Sequence, residues 1–252
     1  MIKLKNKDQL QIMAIAGRIT GEALYLAGQA VKEGVSTLAL DKIVRAHIEK
    51  SGAKPSFLGY GGFPASACIS VNEQVIHGIP SDKVILKEGD IVKIDVGAYY
   101  KGFHGDAART FAVGNVSDEA KKLMEVTKQC FYDAAAKATV GNRLGDIGYA
   151  VQSKAESNGF SVVRKYVGHG IGHDLHEEPE VRNYGNAGMG ARLYAGMVLA
   201  IEPMINVGTF NVKELPDKWT VVTADGKLSA HYENTVAITE DGPMLLTDVE
   251  TV

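Results

Sequence analysis

A chain of 252 residues with 27 basic and 30 acidic side chains can bury a large core, but its net charge of −3 lacks the basic excess of a nucleic-acid binder. Two cysteines, Cys68 and Cys130, cannot build a disulfide framework, and no apolar run approaches the length of a membrane span. The opening MIKLKNKDQLQIM contains no apolar stretch of the secretory kind, so a cytoplasmic protein with no membrane or specific nucleic-acid partner is expected.

Asp8 is placed to cap a first helix reaching about residue 32, with Leu10, Met13, Ala16 and Leu24 at helical spacing. Ser36 starts a second helix, which Ser51-Gly52 stops. Residues 68–71 and 74–77 read as short strands, and 91–96 with 109–113 as a strand pair around the turn-rich stretch 99–105. The order then repeats. Ser117 caps a helix to about 139, Asn142 starts another to about 157, and strands follow at 161–167, 198–203 and 232–239. Residues 219–223 and 227–229, joined by Ala-Asp-Gly, read as an inserted hairpin, and 183–190 as an exposed loop. Helices kept apart in sequence from antiparallel strands predict an α+β fold in which helices cover one face of a curved sheet.

The repetition has a fixed offset. Residues 88–95 (EGDIVKID) and 195–202 (AGMVLAIE) each run from a glycine through apolar residues to a carboxylate, and 202 − 95 = 107. The same shift carries Tyr25 to Tyr132, Gly34 to Gly141, Val44 to Val151 and Gly52 to Gly159. That reads as an internal duplication, with half-repeats of about 8–113 and 117–246 in a single domain spanning 1–252. Two halves packed about a pseudo-twofold axis bring Asp95 and Glu202 together. Asp106 and Glu233 join them, because DAARTFAV and ENTVAITE mirror one another. Four converging carboxylates repel unless cations lie between them, and two divalent ions solve that problem.

His169, in the run Gly-His-Gly-Ile-Gly after an apolar strand, is the nearest nitrogen candidate. One imidazole with four carboxylates makes an oxygen-rich site that suits Mn, Fe, Co or Zn without choosing among them. Read alone, Asp95 or Asp106 is a turn residue, and His77 is equally well a core histidine. His104, His173 and His231 are read as structural, His47 as a surface residue, and Cys68 as a small buried hydrophobe.

The run from Tyr166 to Tyr184, YVGHGIGHDLHEEPEVRNY, resembles the signature of type I methionine aminopeptidases. Ile94-Asp95-Val-Gly, Gly105-Asp106, Ile201-Glu202-Pro203, His231-Tyr-Glu233-Asn and Asn72-Glu73-x-x-x-His77-Gly-Ile-Pro resemble the same family's other motifs, so the similarity covers essentially the whole chain. The resemblance implies a pita-bread fold holding two divalent ions, drawn from Co, Mn, Fe, Zn and Ni. Asp95 binds one, His169 and Glu202 bind the other, and Asp106 and Glu233 bridge. It implies removal of initiator methionine from peptides and nascent chains by attack of a metal-bridging hydroxide. Glu202 is then the proton acceptor, His176 stabilises the oxyanion, and His77 contacts the scissile amide. A methionine pocket carries over onto Tyr60, Phe63, Cys68, His77 and Trp219. Phe57, Gly61, Phe63 and Leu175 stand where bacterial members more often have Cys, His, Tyr and Phe, all on the substrate side. A monomer is expected, acting on peptides and nascent chains and associating transiently with the ribosome. A proline dipeptidase or aminopeptidase P of the same fold is the runner-up, but those carry a large N-terminal domain. A catalytically dead binding protein of this fold is expected to lose ligands, and this chain keeps all five.

Overall fold

The structure is a computed structural model, and it describes residues 2–248. Helix α1 (Lys7–Gln29) starts at Asn6, not Asp8. Asn6 Oδ1 accepts from the Gln9 amide at 2.9 Å while Gln9 Oε1 accepts from the Asn6 amide at 3.0 Å, a reciprocal cap that leaves Asp8 to favour the helix dipole from the first turn. Ser36 and Ser117 cap α2 (Thr37–Lys50) and α3 (Asp118–Ala135) as expected. Helix α4 (Leu144–Ser157) opens one residue later than expected, at Arg143, whose amide donates to Asp146 at 2.8 Å.

Strands β1 (Lys54–Pro55), β2 (Ala67–Val71), β3 (Gln74–Ile76), β4 (Ile91–Tyr100) and β5 (Phe103–Ala112) lie between α2 and α3. After α4 come β6 (Ser161–Val162), β7 (Gly168–Gly170), β8 (Glu177–Val181), β9 (Val198–Ile201), β10 (Met204–Asn206), β11 (Val212–Glu214), β12 (Val221–Thr223), β13 (Ser229–His231), β14 (Glu233–Thr239) and β15 (Gly242–Leu245). Three pairs of elements begin at one offset, since 144 − 37, 161 − 54 and 198 − 91 all equal 107 (α2 and α4, β1 and β6, β4 and β9).

One antiparallel sheet runs β1-β4-β5-β14-β9-β7-β8, with β2 against β4 and β15 against β14. Its β4–β5 hairpin is longer than the sequence spacing indicates. The turn is only Lys101-Gly102, both at positive φ (46° and 92°), as a two-residue hairpin of this twist requires. Asp95 and Asp106 therefore sit within strands, opposite Ala108 and Gly97, and do not flank a turn. The 224–226 turn exists, but its two arms part. Strand β12 pairs with β3 and β11, while β13 pairs with β10, so there is no local hairpin.

Side chains alternate across each strand and sort the sheet into two faces. Val92, Ile94, Val96 and Ala107 pack with α1 and α2, and Leu199, Ile201, Val236 and Ile238 pack with α3 and α4. Period two then turns Asp95, Asp106, Glu202 and Glu233 to the opposite, concave side. Among the described residues no helix is long and apolar enough to cross a membrane.

Helix α1 meets β5 at unusually close range. A Cβ on Gly17 would lie 2.2 Å from the Leu246 carbonyl oxygen, and one on Gly105 would lie 2.8 Å from Gly17 Cα. Helix propensity alone favours alanine over glycine by about 1 kcal/mol, whereas overpacking costs about 1–3 kcal/mol. Backbone atoms cannot rotate away, so the contact decides the sign. Gly17→Ala is expected to lower the melting temperature in differential scanning calorimetry despite its better helix propensity.

Candidate metal centre and substrate pocket

The order of strands in the sheet is also the order of the ligand candidates: Asp95 on β4, Asp106 on β5, Glu233 on β14, Glu202 just after β9, and His169 on β7. Ala108 pairs with both Asp95 and Glu233, so the two carboxylates flank a methyl group and lean across it toward one another. Side chains pin three of these backbone positions. The Asp106 amide donates to Thr235 Oγ1 at 2.9 Å, and that hydroxyl donates to the Asp106 carbonyl at 2.9 Å. Arg109 Nη1 donates to the Glu233 carbonyl at 2.5 Å, and its other nitrogen, Nη2, reaches Asn234 Oδ1 at 2.9 Å. Asn183 Nδ2 donates to the Glu202 carbonyl at 2.9 Å; Asn183 is fully buried, which corrects the view of 183–190 as wholly exposed.

The acids occupy an environment hostile to charge. Burial, followed by repulsion from neighbouring carboxylates, holds Asp106, Glu202 and Glu233 well above the usual carboxylate range. Burial also raises Asp95, against hydrogen bonds from Asp106 and the Val96 amide. Oδ1 of Asp95, Oδ1 of Asp106 and Oε1 of Glu233 are buried without hydrogen-bond partners. Unpaired oxygens this concentrated and this buried are what a cation would satisfy.

Burial pushes His169 down to about 3, so its ring is neutral at pH 7. Nδ1–H donates to the Gly170 carbonyl at 2.9 Å. That fixes the tautomer and leaves the Nε2 lone pair facing Glu202 at 3.6 Å and Asp106 at 4.0 Å. The atoms of Asp106, His169 and Glu233 converge closely enough to share one ion, and so do those of Asp95, His231 and Glu233.

Every residue expected at the site lines one cavity of about 150 Å³: the five ligand candidates together with His77, His176, Tyr60, Phe63, Cys68 and Trp219. Phe57 and Leu175, noted above only as departures, line it too. Gly61 does not, although a Cβ there would meet Trp219 Cη2 at 3.3 Å. His176 Nδ1 lies 2.7 Å from the Tyr60 hydroxyl, and its ring centroid is 4.2 Å from that of His169. His77 holds a left-handed backbone (φ 58°) that presents its ring edge-on to Tyr166 and Trp219. Its imidazole is pushed down to about 4 by burial and by His176. The pocket floor is apolar, with Phe63 edge-on to Trp219 at 5.1 Å and the Cys68 thiol raised by burial.

The loop carrying His176 is fastened from the N-terminal arm. Lys5 Nζ donates to Glu177 Oε2 at 2.6 Å, and Glu177 Oε1 accepts from the His173 amide at 2.9 Å. Sequence reasoning missed this clasp, Ala108, Asn183 and His231. Only His231 left a signal: it precedes Glu233 by two, the period that returns a strand to the same face.

Residues 11–240 match the metallopeptidase family M24. The chain is 58% identical to methionine aminopeptidase of Clostridium perfringens, over 98% of this chain and 99% of that one. It is 56% identical to methionine aminopeptidase of Clostridium acetobutylicum, with the same shares covered. The crystal structure of methionine aminopeptidase from Thermotoga maritima superposes with a TM-score of 0.97 at 43% identity, over 98% of this chain and all of that one. The two therefore share the pita-bread architecture of a curled antiparallel sheet backed by helices. Since the matched segment takes in every strand that supplies a ligand candidate, the chain belongs to metallopeptidase family M24.

Proposed function

We propose that the chain is a methionyl aminopeptidase, a metal-dependent hydrolase that removes N-terminal methionine from peptides and nascent proteins. One observation carries this reading: an acid-and-imidazole cluster and an apolar pocket open into the same small cavity, with His77 and His176 lining it beside them. The relatives' shared activity supports it.

Four carboxylates, one oriented imidazole and three unpartnered buried oxygens fit divalent ions. In this reading Asp95, Asp106, His169, Glu202 and Glu233 would hold the two ions, with Asp95 on one side of the cluster and His169 and Glu202 on the other. Bound there, the ions supply a nucleophile at neutral pH and a Lewis acid for the scissile carbonyl. The protein does the rest. Glu202 takes the proton released by the attacking water and returns it to the departing amine. His176 Nδ1 and the Tyr60 hydroxyl share a hydrogen bond; with the hydroxyl as donor, Nε2–H is free to donate to the carbonyl oxygen as negative charge gathers there. His77 contacts the scissile amide. Tyr60, Phe63, Cys68 and Trp219 receive the methionine side chain, whose thioether suits an aromatic, polarisable wall, and Phe57 and Leu175 set its width.

The 107-residue offset between elements supports a single catalytic domain of two half-repeats, about 8–113 and 117–246. We place the protein in the cytoplasm as a monomer in at most transient contact with the ribosome. Both cysteines are free and buried, which supports the cytoplasmic placement. Sedimentation of the purified protein and ribosome pelleting test the monomer and the ribosome contact.

Three outcomes are expected. Glu202→Gln lowers turnover of a Met-Gly peptide by about 10²-fold or more, while circular dichroism stays unchanged. Met-Gly peptides are cleaved in preference to Xaa-Pro peptides; the reverse preference in a side-by-side assay would make the chain a proline-directed member of the family. The third outcome concerns pH. In metal-free protein the four carboxyls bind protons above their usual range, so folding stability falls as pH rises toward those raised values. His169 and His231, both pushed down to about 3, oppose this only below their ordinary value of 6.5, where unfolded imidazoles take up protons. Lys93, pushed down to about 7 by burial, adds a rise in stability above pH 7 with or without metal. Chelated protein should therefore lose stability relative to metal-loaded protein from about pH 6.5 to 8, by about 1.4 kcal/mol per pH unit for each carboxyl still titrating. A melting-temperature gap between the two forms that does not widen with pH over that window contradicts this.

A further inference from the structure

His231 is the one imidazole near the acids that the resemblance leaves without a role. Its backbone is clamped to β5, where its amide donates to Thr110 Oγ1 at 2.9 Å and its carbonyl accepts from that hydroxyl at 2.8 Å. The side chain is 1% exposed, and neither ring nitrogen has a hydrogen-bond partner. A purely structural histidine buried this completely would be expected to bond at least one nitrogen. Instead, Nε2 faces the acid cluster, 3.8 Å from Glu233 Oε2 and 3.9 Å from Glu202 Oε2.

Those separations are too long for hydrogen bonds but right for two atoms bound to one ion. Ligands each about 2.0–2.2 Å from a metal lie about 3–4.2 Å apart, depending on the angle between them. One atom each from Asp95, His231 and Glu233 gather within 4.8 Å of one another, and so, separately, do atoms of Asp106, His169 and Glu233. The two groups share only Glu233. His231 therefore stands to Asp95 much as His169 stands to Asp106.

We propose that His231 Nε2 is a ligand of the ion on the Asp95 side, so that each of the two ions carries one imidazole. This assignment presupposes the dinuclear reading of the site. It makes the Asp95 position a mixed nitrogen–oxygen site in place of an all-oxygen one, which shifts its preference from Mn(II) toward Co(II), Ni(II) and Zn(II).

Titration of chelator-treated full-length protein with Co(II), followed by calorimetry and visible absorption, tests it. Wild-type protein takes two equivalents. His231→Gln weakens one equivalent by tenfold or more and shifts its absorption band, while His169→Gln weakens the other. Unchanged affinities and spectra in His231→Gln and His231→Ala overturn the assignment. Fewer than two equivalents in wild-type protein overturns the dinuclear reading itself, and the assignment with it. X-ray absorption of wild-type protein loaded with two equivalents needs no variant to fold. An average of one imidazole per cobalt supports the assignment, and an average of one half overturns it.

Discussion

Four carboxyl groups sharing one buried space is the constraint around which this protein is built. Removing a carboxylate from water is costly, and placing it beside three others adds repulsion. The raised proton affinities of Asp106, Glu202 and Glu233, and the unpartnered oxygens of Asp95, Asp106 and Glu233, are two views of one deficit of positive charge. Arg109, the cationic side chain that bears on Glu233, is spent on the Glu233 and Ala108 carbonyls and the Asn234 side-chain amide. Side chains alone leave the deficit standing, and divalent ions remove it while gaining a site of high charge density next to a substrate pocket.

The scaffold answers this constraint with rigidity. The acids stand on neighbouring strands of one sheet, backed by four helices whose apolar faces fill the opposite side. Their main-chain groups are tied by Thr235, Arg109 and Asn183. Repulsion that would splay mobile loops thus acts on a braced surface, and the cluster stays preorganised. The parts that meet substrate are held differently. His77 holds a strained left-handed backbone just after β3, and His176 sits on a loop anchored by the Lys5–Glu177 pair, whose side chains are 4% and 1% exposed. An ion pair buried that deeply is costly to break from either side. The N-terminal arm is thereby coupled to the position of an imidazole lining the pocket.

Much of this was legible in the sequence, for identifiable reasons. Ser36 and Ser117 marked helix starts because a hydroxyl cap is a local device. The convergence of the four acids was legible because a duplicated apolar run ending in a carboxylate, with a mirrored strand beside it, is a long-range signal that needs no knowledge of side-chain contacts. His169 was marked only by its flanking glycines and the motif around it. The β4–β5 turn was overestimated because its residues are glycine-rich and polar, yet strand pairing extends to Tyr100 and Phe103 once the hairpin closes on Lys101-Gly102. The separate fates of β12 and β13 were hidden because an Ala-Asp-Gly turn says nothing about which strands its arms will join. Ala108 carries no chemical label; its importance is its small size between Asp95 and Glu233, which only the register reveals.

The most direct measurement is a crystal structure of the protein grown with Mn(II), with anomalous diffraction recorded to locate the metal. The account predicts two anomalous peaks about 3.5–4 Å apart, enclosed by Asp95, Asp106, His169, Glu202 and Glu233. Peaks elsewhere on the surface, or carboxyl groups that bond to one another with no metal among them, would contradict it.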